Sequence, residues 1–343
     1  MTQQFASDNT AGMCPEALAA FVRANETGHE EAYGADPWTQ KVCDRIRKVF
    51  ETDCEVFFVF NGTAANALVL ASMCPSYHSV ICHEKSHIQN DECGAPGFFS
   101  GGLTLLAGHG ENGKLTPEII DELVAKRDDI HAPKPKAISL TQATECGTIY
   151  SLAELKAISA TAKHHNLPIQ MDGARFANAL VTLNVSPADM TWRVGVDALV
   201  FGGTKNGLPA GEAVVFFNTA LAEGFASRLK QSGQLASKMR FITAPWLGIL
   251  DHDVWLKNAR HANAMAQRLY DRVKLIKGVD VMFEVQVNSV FLDLSEPVRK
   301  ALWAKGWAFY AFIGASGCRF MCSWDLRPDT VDRLCTDIED LCT

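Results

Sequence analysis

The sequence predicts an α/β protein built on a mostly parallel, doubly wound sheet, with a smaller α+β domain at its C-terminal end. Three observations carry this. From about residue 55 to residue 217, short apolar runs alternate with helical stretches, the pattern of strands buried on both faces and joined by crossover helices. The runs stop abruptly, Val56-Phe-Phe-Val-Phe60 at Asn61-Gly62 and Ala198-Leu-Val-Phe201 at Gly202-Gly203. The third observation is that Asp172 and Lys205 each follow such a run and lie about one strand-helix-strand unit apart.

Taken in order, residues 1 to 30 contain no clear strand, and Phe5-Ala-Ser7-Asp8-Asn9-Thr10 reads as an arm lying against another part of the molecule. Pro37 opens a helix in which Trp38, Val42, Ile46 and Val49 recur every three or four positions. After the Val56–Phe60 strand, Asn61-Gly62-Thr63-Ala64 reads as a small-residue turn opening a helix. Ser79–Cys82 and Thr104-Leu-Leu are short strands, and Thr116-Pro caps a helix running toward Arg127. Ala137–Thr141 is a further strand, and the helix from Leu152 through Ala162 returns the chain to the strand ending at Asp172. Ala213–Phe217 follows the lysine turn as another strand, and residues 221 to 275 are largely helical. Strand-like pieces at Val281–Phe283, Val290–Leu294 and Cys318–Trp324 precede a closing helix with Val331, Leu334, Ile338 and Leu341. The chain divides into an arm (1–30), a large domain (31–249) and a small domain (250–343).

At 343 residues and 48% hydrophobic content the chain can bury one large core and a smaller one. A net charge of −7 without a basic stripe argues against nucleic acid or anionic membrane as partner. No apolar run reaches membrane-spanning length, and the N-terminus lacks the basic and apolar regions of a secretory signal, so a cytoplasmic location is expected. Eleven scattered cysteines, none spaced C-x-x-C, read as reduced small core residues.

Lys205 and Asp172 belong at the carboxyl edge of neighbouring parallel strands, where open α/β sheets bind ligands. A lysine alone in a glycine-flanked turn is ordinarily a surface residue. Paired with an aspartate across that edge, it matches what pyridoxal 5'-phosphate (PLP) requires: an amine for the Schiff base and a carboxylate to keep the pyridine nitrogen protonated. The turn at Gly62-Thr63-Ala64 supplies the expected phosphate cup, since helix N-termini offer unpaired N–H groups and a positive dipole end. His83-Glu84-Lys-Ser-His87 matches the H-E-x-x-H zinc-peptidase pattern, which works only inside a helix. Here it begins at a strand end, so one histidine is expected to face the cofactor instead.

These residues together resemble the low-specificity L-threonine and phenylserine aldolases, PLP-dependent lyases of the aspartate aminotransferase fold type. The likeness rests on Tyr33-Gly34, Asn61-Gly-Thr-Ala-Ala-Asn66, Ser86-His87-Ile, Asp128-Asp-Ile-His131, Asp172-Gly-Ala-Arg175, Gly203-Thr-Lys205, Ser237-Lys-Met-Arg240 and Arg319. It implies that Lys205 forms the Schiff base, Asp172 pairs with the pyridine nitrogen, and Gly62, Thr63 and Ala64 cup the phosphate. His87 would stack on the ring; Ser7, Arg175 and Arg319 would hold the substrate carboxylate, with Tyr33 also at the substrate. His131 would approach the substrate hydroxyl, leaving His87, His131 or a water as the base. Arg240 would reach the phosphate of a neighbouring subunit in a homotetramer built from dimers. The implied reaction is cleavage of L-3-hydroxy amino acids to glycine and an aldehyde. An aminotransferase and a β-eliminating lyase share the same lysine and aspartate and stand as alternatives. Gln142-Ala-Thr-Glu145-Cys146 stands where relatives carry an Asn- and His-containing strand end.

Overall fold

A computed structural model describes residues 3–126 and 129–342; Arg127 and Asp128, the latter opening the Asp128–His131 motif, lie outside the described residues. Seven strands form the main sheet: β1 (Glu55–Val59), β2 (His78–His83), β3 (Thr104–Gly108), β4 (Lys134–Thr141), β5 (Ile169–Gly173), β6 (Ala198–Phe201) and β7 (Glu212–Phe216). Their spatial order is β1-β7-β6-β5-β4-β2-β3. β3, β2, β4, β5 and β6 pair in parallel, while β7 runs antiparallel between β6 and β1. The register aligns Thr141 with Asp172 and Asp172 with Val200, so the chain segments that follow β4, β5 and β6 emerge side by side. Because β7 is reversed, it is its first residue, Glu212, that lies at this edge, opposite Val59.

The sheet is covered on both faces because successive residues of its central strands are apolar and turn alternately to one face and the other. On β6, Leu199 and Phe201 join a core with Val42, Ile46 and Phe50 of the helix Pro37–Phe50, while Ala198 and Val200 join Leu68, Val69 and Phe225 on the other side. Phe201 lies within 5.0–5.5 Å, ring centroid to centroid, of Phe50, Phe176, Trp246 and Trp255. This aromatic cluster fixes the strand end from which the lysine turn departs. Gly202 follows at once, and a Cβ there would come within 2.5 Å of the Ala174 carbonyl oxygen. Backbone cannot yield to that contact, so the turns after β5 and β6 are held together at van der Waals distance by the absence of a side chain.

The small domain carries a second sheet, β8 (Asp280–Val281), β9 (Ser289–Asp293), β10 (Tyr310–Ile313) and β11 (Gly317–Met321), in the antiparallel order β10-β11-β9-β8. Helix Val254–Val273 packs on helix Phe176–Leu183 of the large domain and on the closing helix Pro328–Cys342. β10 was not apparent in the sequence, and the expected strand at Val281–Phe283 forms only as the two-residue β8. The first thirty residues are more than an arm. Phe5 is fully buried in the small-domain core against Trp307 and Phe320, and Pro15–Glu26 is a helix packed on Arg240–Leu250. The eleven cysteines are free thiols, mostly buried, and burial pushes Cys43 up to about 11 and Cys54 up to about 12. No helix of the described residues is long and apolar enough to cross a membrane.

Candidate active site

Lys205 lies in a single 3-10 turn, Thr204–Asn206, directly after β6. Three hydrogen bonds hold the turn: Gly203 N–H donates to Glu212 Oε2 (2.6 Å), Asn206 Nδ2 to the Trp255 carbonyl (2.9 Å), and Asn258 Nδ2 to the Asn206 carbonyl (3.0 Å). The lysine opens into a cavity of about 280 Å³ that Gly62, Thr63, His87, Asp172 and Glu212 also line. Asp172, at the end of β5, is buried; its Oδ1 accepts Ala174 N–H (3.0 Å) and its Oδ2 accepts Asn66 Nδ2–H (2.9 Å).

The helix Gly62–Met73 starts at the same cavity. Asn61 caps it, its side chain accepting Ala64 N–H (2.9 Å) and its carbonyl accepting Ala65 N–H (3.1 Å). The N–H groups of Gly62 and Thr63 keep no partner among the described residues. They are the donors open to an anion, and the Ala64 N–H, expected in the cup, is spent on the cap. Thr204, whose hydroxyl is buried beside Glu212, lines the same cavity. Two open amides at a helix N-terminus, a lysine and a buried carboxylate form a donor set that fits a phosphorylated pyridine aldehyde.

A second cavity of about 430 Å³ adjoins the first, sharing Asn9, His87 and Lys205 with it. Ser7, Asp91, Glu145, Arg175, Tyr310, Ala311 and Arg319 complete its walls. Arg175 differs from expectation: its Nε and Nη2 donate to Asp8 Oδ2 (2.7 Å) and Oδ1 (2.9 Å), a buried bidentate pair that leaves one terminal nitrogen for any ligand. Asn288 Nδ2 also donates to Asp8 (3.1 Å). Burial pushes the Asp8 carboxyl up, but the Arg175 guanidinium and the Lys205 ammonium outweigh it and hold the group below the usual carboxylate range. Arg319, on β11, is a half-buried cation beside the Tyr310 ring.

The depressed Asp8 value has a checkable consequence. A carboxyl whose folded value lies below its unfolded one adds stability above the ordinary carboxylate range, and that contribution is lost as pH falls through the folded value. Asp8→Asn is expected to flatten the acid limb of the stability curve and to lower stability at neutral pH by about 3 kcal/mol, since it leaves a buried guanidinium uncompensated. Urea titrations between pH 3 and 7 measure both; a variant with the wild-type profile would show that the pair carries no such linkage.

Comparison with known proteins sets this geometry in a family. A family model described as β-eliminating lyase matches residues 4–297. The low specificity L-threonine aldolase of Pseudomonas aeruginosa is 59% identical over 337 residues, covering 98% of this chain and 97% of the relative, and that of Pseudomonas sp. (strain NCIMB 10558) is 58% identical over the same extent. The chain belongs to the threonine aldolase family of PLP-dependent lyases. The threonine aldolase of Leishmania major superposes with a TM-score of 0.93 at 26% identity, covering 99% of each chain.

Three residues expected at the site from the family likeness are not brought to either cavity within one chain. His131 is exposed in the turn before β4, where its N–H donates to Asp129 Oδ1 (2.8 Å), at the amino edge of the sheet. β4 runs eight residues from there to the cavity edge, about 25 Å of strand, so His131 cannot reach a substrate bound between Asp172 and Arg319 of its own chain. The residue that does stand at the carboxyl end of β4 is Glu145. Tyr33, 49% exposed, and Arg240 sit together on another surface. The Tyr33 N–H donates to the Ser237 carbonyl (3.0 Å), and Arg240 Nη2 donates to the Gly28 carbonyl (3.0 Å).

The zinc-peptidase reading of His83–His87 fails on geometry. β2 ends at His83 and a four-residue helix starts at His87, so the two rings do not share a helix face. Both His83 ring nitrogens are engaged, Nδ1 with the Lys85 N–H (3.0 Å) and Nε2 at Gly110 (2.9 Å to its carbonyl), and no group of three or more metal-capable side chains occurs among the described residues. Asp8, Asn9, Glu92, Glu145 and Glu212 were missed as site residues. Asp8 adjoins Ser7 in a stretch already singled out, but its partner Arg175 lies 167 positions away, so no local spacing signalled it.

Proposed function

We propose that this chain cleaves L-3-hydroxy amino acids, L-threonine, L-allo-threonine and phenylserine-type aryl substrates among them, to glycine and an aldehyde with PLP as cofactor. The observation that carries the reading is the convergence of Lys205, Asp172 and the two open N–H groups of Gly62 and Thr63 on one cavity. Lys205 would hold the cofactor covalently, Asp172 would pair with its ring nitrogen, and Gly62 and Thr63 would bind its phosphate. When bound, PLP supplies the electron sink that lets a bond at Cα break.

The chain's own residues do the rest. Arg319 anchors the substrate carboxylate, with Ser7 and the remaining Arg175 nitrogen beside it, because a guanidinium fork matches a carboxylate and fixes its orientation. Anchoring the carboxylate and the amino group at two points sets which Cα substituent stands in line for cleavage. His87 lines both cavities and is the imidazole available to take the β-hydroxyl proton, His131 being at the far edge of the sheet. Glu145 borders the same space.

Product analysis tests this against the β-eliminating and aminotransferase readings. Purified protein with PLP and L-threonine, without a keto-acid acceptor, is expected to release glycine and acetaldehyde in equal amounts. Release of 2-oxobutyrate and ammonia instead, or dependence on an added keto acid, would overturn the assignment.

Assembly belongs to the same proposal. Among the described residues the phosphate donors of one chain include no arginine, whereas the Tyr33 and Arg240 surface presents one, so a second copy would complete the cup in a homotetramer built as a dimer of dimers. A mass-action link follows: dilution should shed PLP as oligomers dissociate. A fully active, PLP-saturated monomer in sedimentation would refute it.

A further inference from the structure

Beneath the cavity floor lies a set of buried polar groups that the reaction as described does not use. Glu92, whose side chain has no exposed surface, accepts from Asn66 Nδ2 through Oε1 (2.8 Å), and the same oxygen lies 2.9 Å from His87 Nδ1. Asn66 Nδ2 also donates to Asp172 Oδ2 (2.9 Å), and Asn66 Oδ1 accepts from Gln170 Nε2 (3.0 Å), whose Oε1 accepts from Ser139 Oγ (2.6 Å). Ionised carboxylates only accept hydrogen bonds, so an amide that touches two of them must turn its NH₂ toward both. Asn66 is thereby fixed, and with it the Glu92 oxygen that meets the imidazole. The second Glu92 oxygen, Oε2, is buried with no hydrogen-bond partner.

A carboxylate with one open oxygen and no exposed surface is expensive to keep ionised unless a counter-charge is at hand. The group in contact with it is the His87 imidazole, which becomes that counter-charge when it takes up a proton. The geometry points to Glu92 as the positioning residue of His87: its carboxylate accepts the Nδ1 hydrogen, fixes the ring in that tautomer, and leaves the Nε2 lone pair to receive the substrate hydroxyl proton. This rests on the cleavage reaction proposed above. The hydroxyl proton moves to Nε2, the electron pair of the O–H bond becomes the second bond of the aldehyde carbonyl, and the Cα–Cβ pair leaves with the glycine half. The imidazolium so formed faces Glu92, and the proton is later returned to the glycine carbon.

The electrostatics agree. The hydrogen bond to Glu92 raises His87 above the ordinary histidine value, against the opposing effect of burial, with Asp172 on β5 and Glu145 after β4 adding to the rise. Lys205, Arg175 and Arg319 are the cations on the walls of the two cavities that His87 lines, and Asp91 is a further acid there. Burial in turn pushes the Glu92 carboxyl up. One proton shared between the two groups accounts for both directions. Since its folded value is raised, the charged imidazole stabilises the structure at pH below the unfolded histidine value, and this is lost as pH rises through the folded one.

Glu92→Gln keeps the shape and an acceptor oxygen while removing the charge. Loss of the carboxylate that orients a base is expected to lower kcat on L-threonine by about 10² while KM changes less than about threefold. The acid limb of the kcat profile should move to lower pH. The decisive readout needs no turnover: in cofactor-free protein labelled with ¹⁵N-histidine, with the His87 signal assigned by His87→Gln, the His87 titration should fall by about one pH unit in Glu92→Gln. Glu92→Asp, which keeps the charge at shorter reach, should restore part of that shift and serves in its place if the Gln variant does not fold. A His87 titration unchanged by loss of the Glu92 charge would overturn the assignment. Because the titration is read without substrate, its failure is distinguishable from failure of the cleavage reaction itself.

Discussion

Lys205→Ala is expected to fold like the parent protein and to lose at least about 10⁴ of its turnover on L-threonine. The turn that carries Lys205 is held by Gly203, Asn206 and Asn258 and not by the lysine side chain, so truncation leaves those bonds intact. Among the described residues no other lysine lines the cavity. The variant should still take up PLP through the Gly62 and Thr63 amides, but without the absorbance of a protein-bound Schiff base and without a borohydride-stable adduct. Rapid-mixing and steady-state assays on the same preparation measure both. Turnover within about tenfold of wild type would mean that the amine has been misassigned.

Asp172→Asn is expected to fall nearly as far, and for two separable reasons. A neutral amide no longer favours a protonated pyridine nitrogen, which costs about 10³ in kcat if the ring is the electron sink. The second reason is internal to the fold. Asp172 accepts one N–H on each oxygen, from Ala174 and from Asn66. An asparagine presents only one oxygen, so its NH₂ must face one of those donors, and a buried donor left facing a donor costs about 1–3 kcal/mol. Thermal unfolding of the cofactor-free variant isolates that second loss, and single-turnover kinetics of the loaded enzyme isolates the first. Unchanged kinetics would show that a different carboxylate serves the ring.

What the sequence disclosed and what it withheld follow from the range of the forces involved. The strand ends at Phe60, Asp172 and Phe201 were legible because each is a local event, an apolar run stopped by glycine or a polar residue, and once the strands are parallel those ends must share an edge. The helix Pro15–Glu26 was not legible because its buried face is Ala17, Ala20 and Ala24, residues too small to stand out in a hydrophobic period. The Arg175–Asp8 pair spans 167 positions and the Asp172–Asn66 bond 106, and no spacing rule reaches so far. His131 was placed at the substrate by family likeness alone. Its position before β4, rather than after it, already set it at the opposite edge of a parallel sheet. Glu92 was passed over because an acidic residue in a loop is ordinarily solvated; only the fold shows that this one is sealed beneath a histidine.

The first ten residues, with Phe5 in the small-domain core and Asp8 bonded to both Arg175 and Asn288, impose an order on how the protein is made. They leave the ribosome well before most of the core that receives Phe5, and the Asn288 amide that holds Asp8 lies 280 positions later. Contacts between segments so far apart pay their loop-closure cost before they return anything. During synthesis the large sheet can therefore close around Asp172 and Lys205 while the segment bearing Ser7 and Asn9 waits. The substrate cleft is finished only when the strand bearing Arg319 meets the segment bearing Ser7 and Asn9.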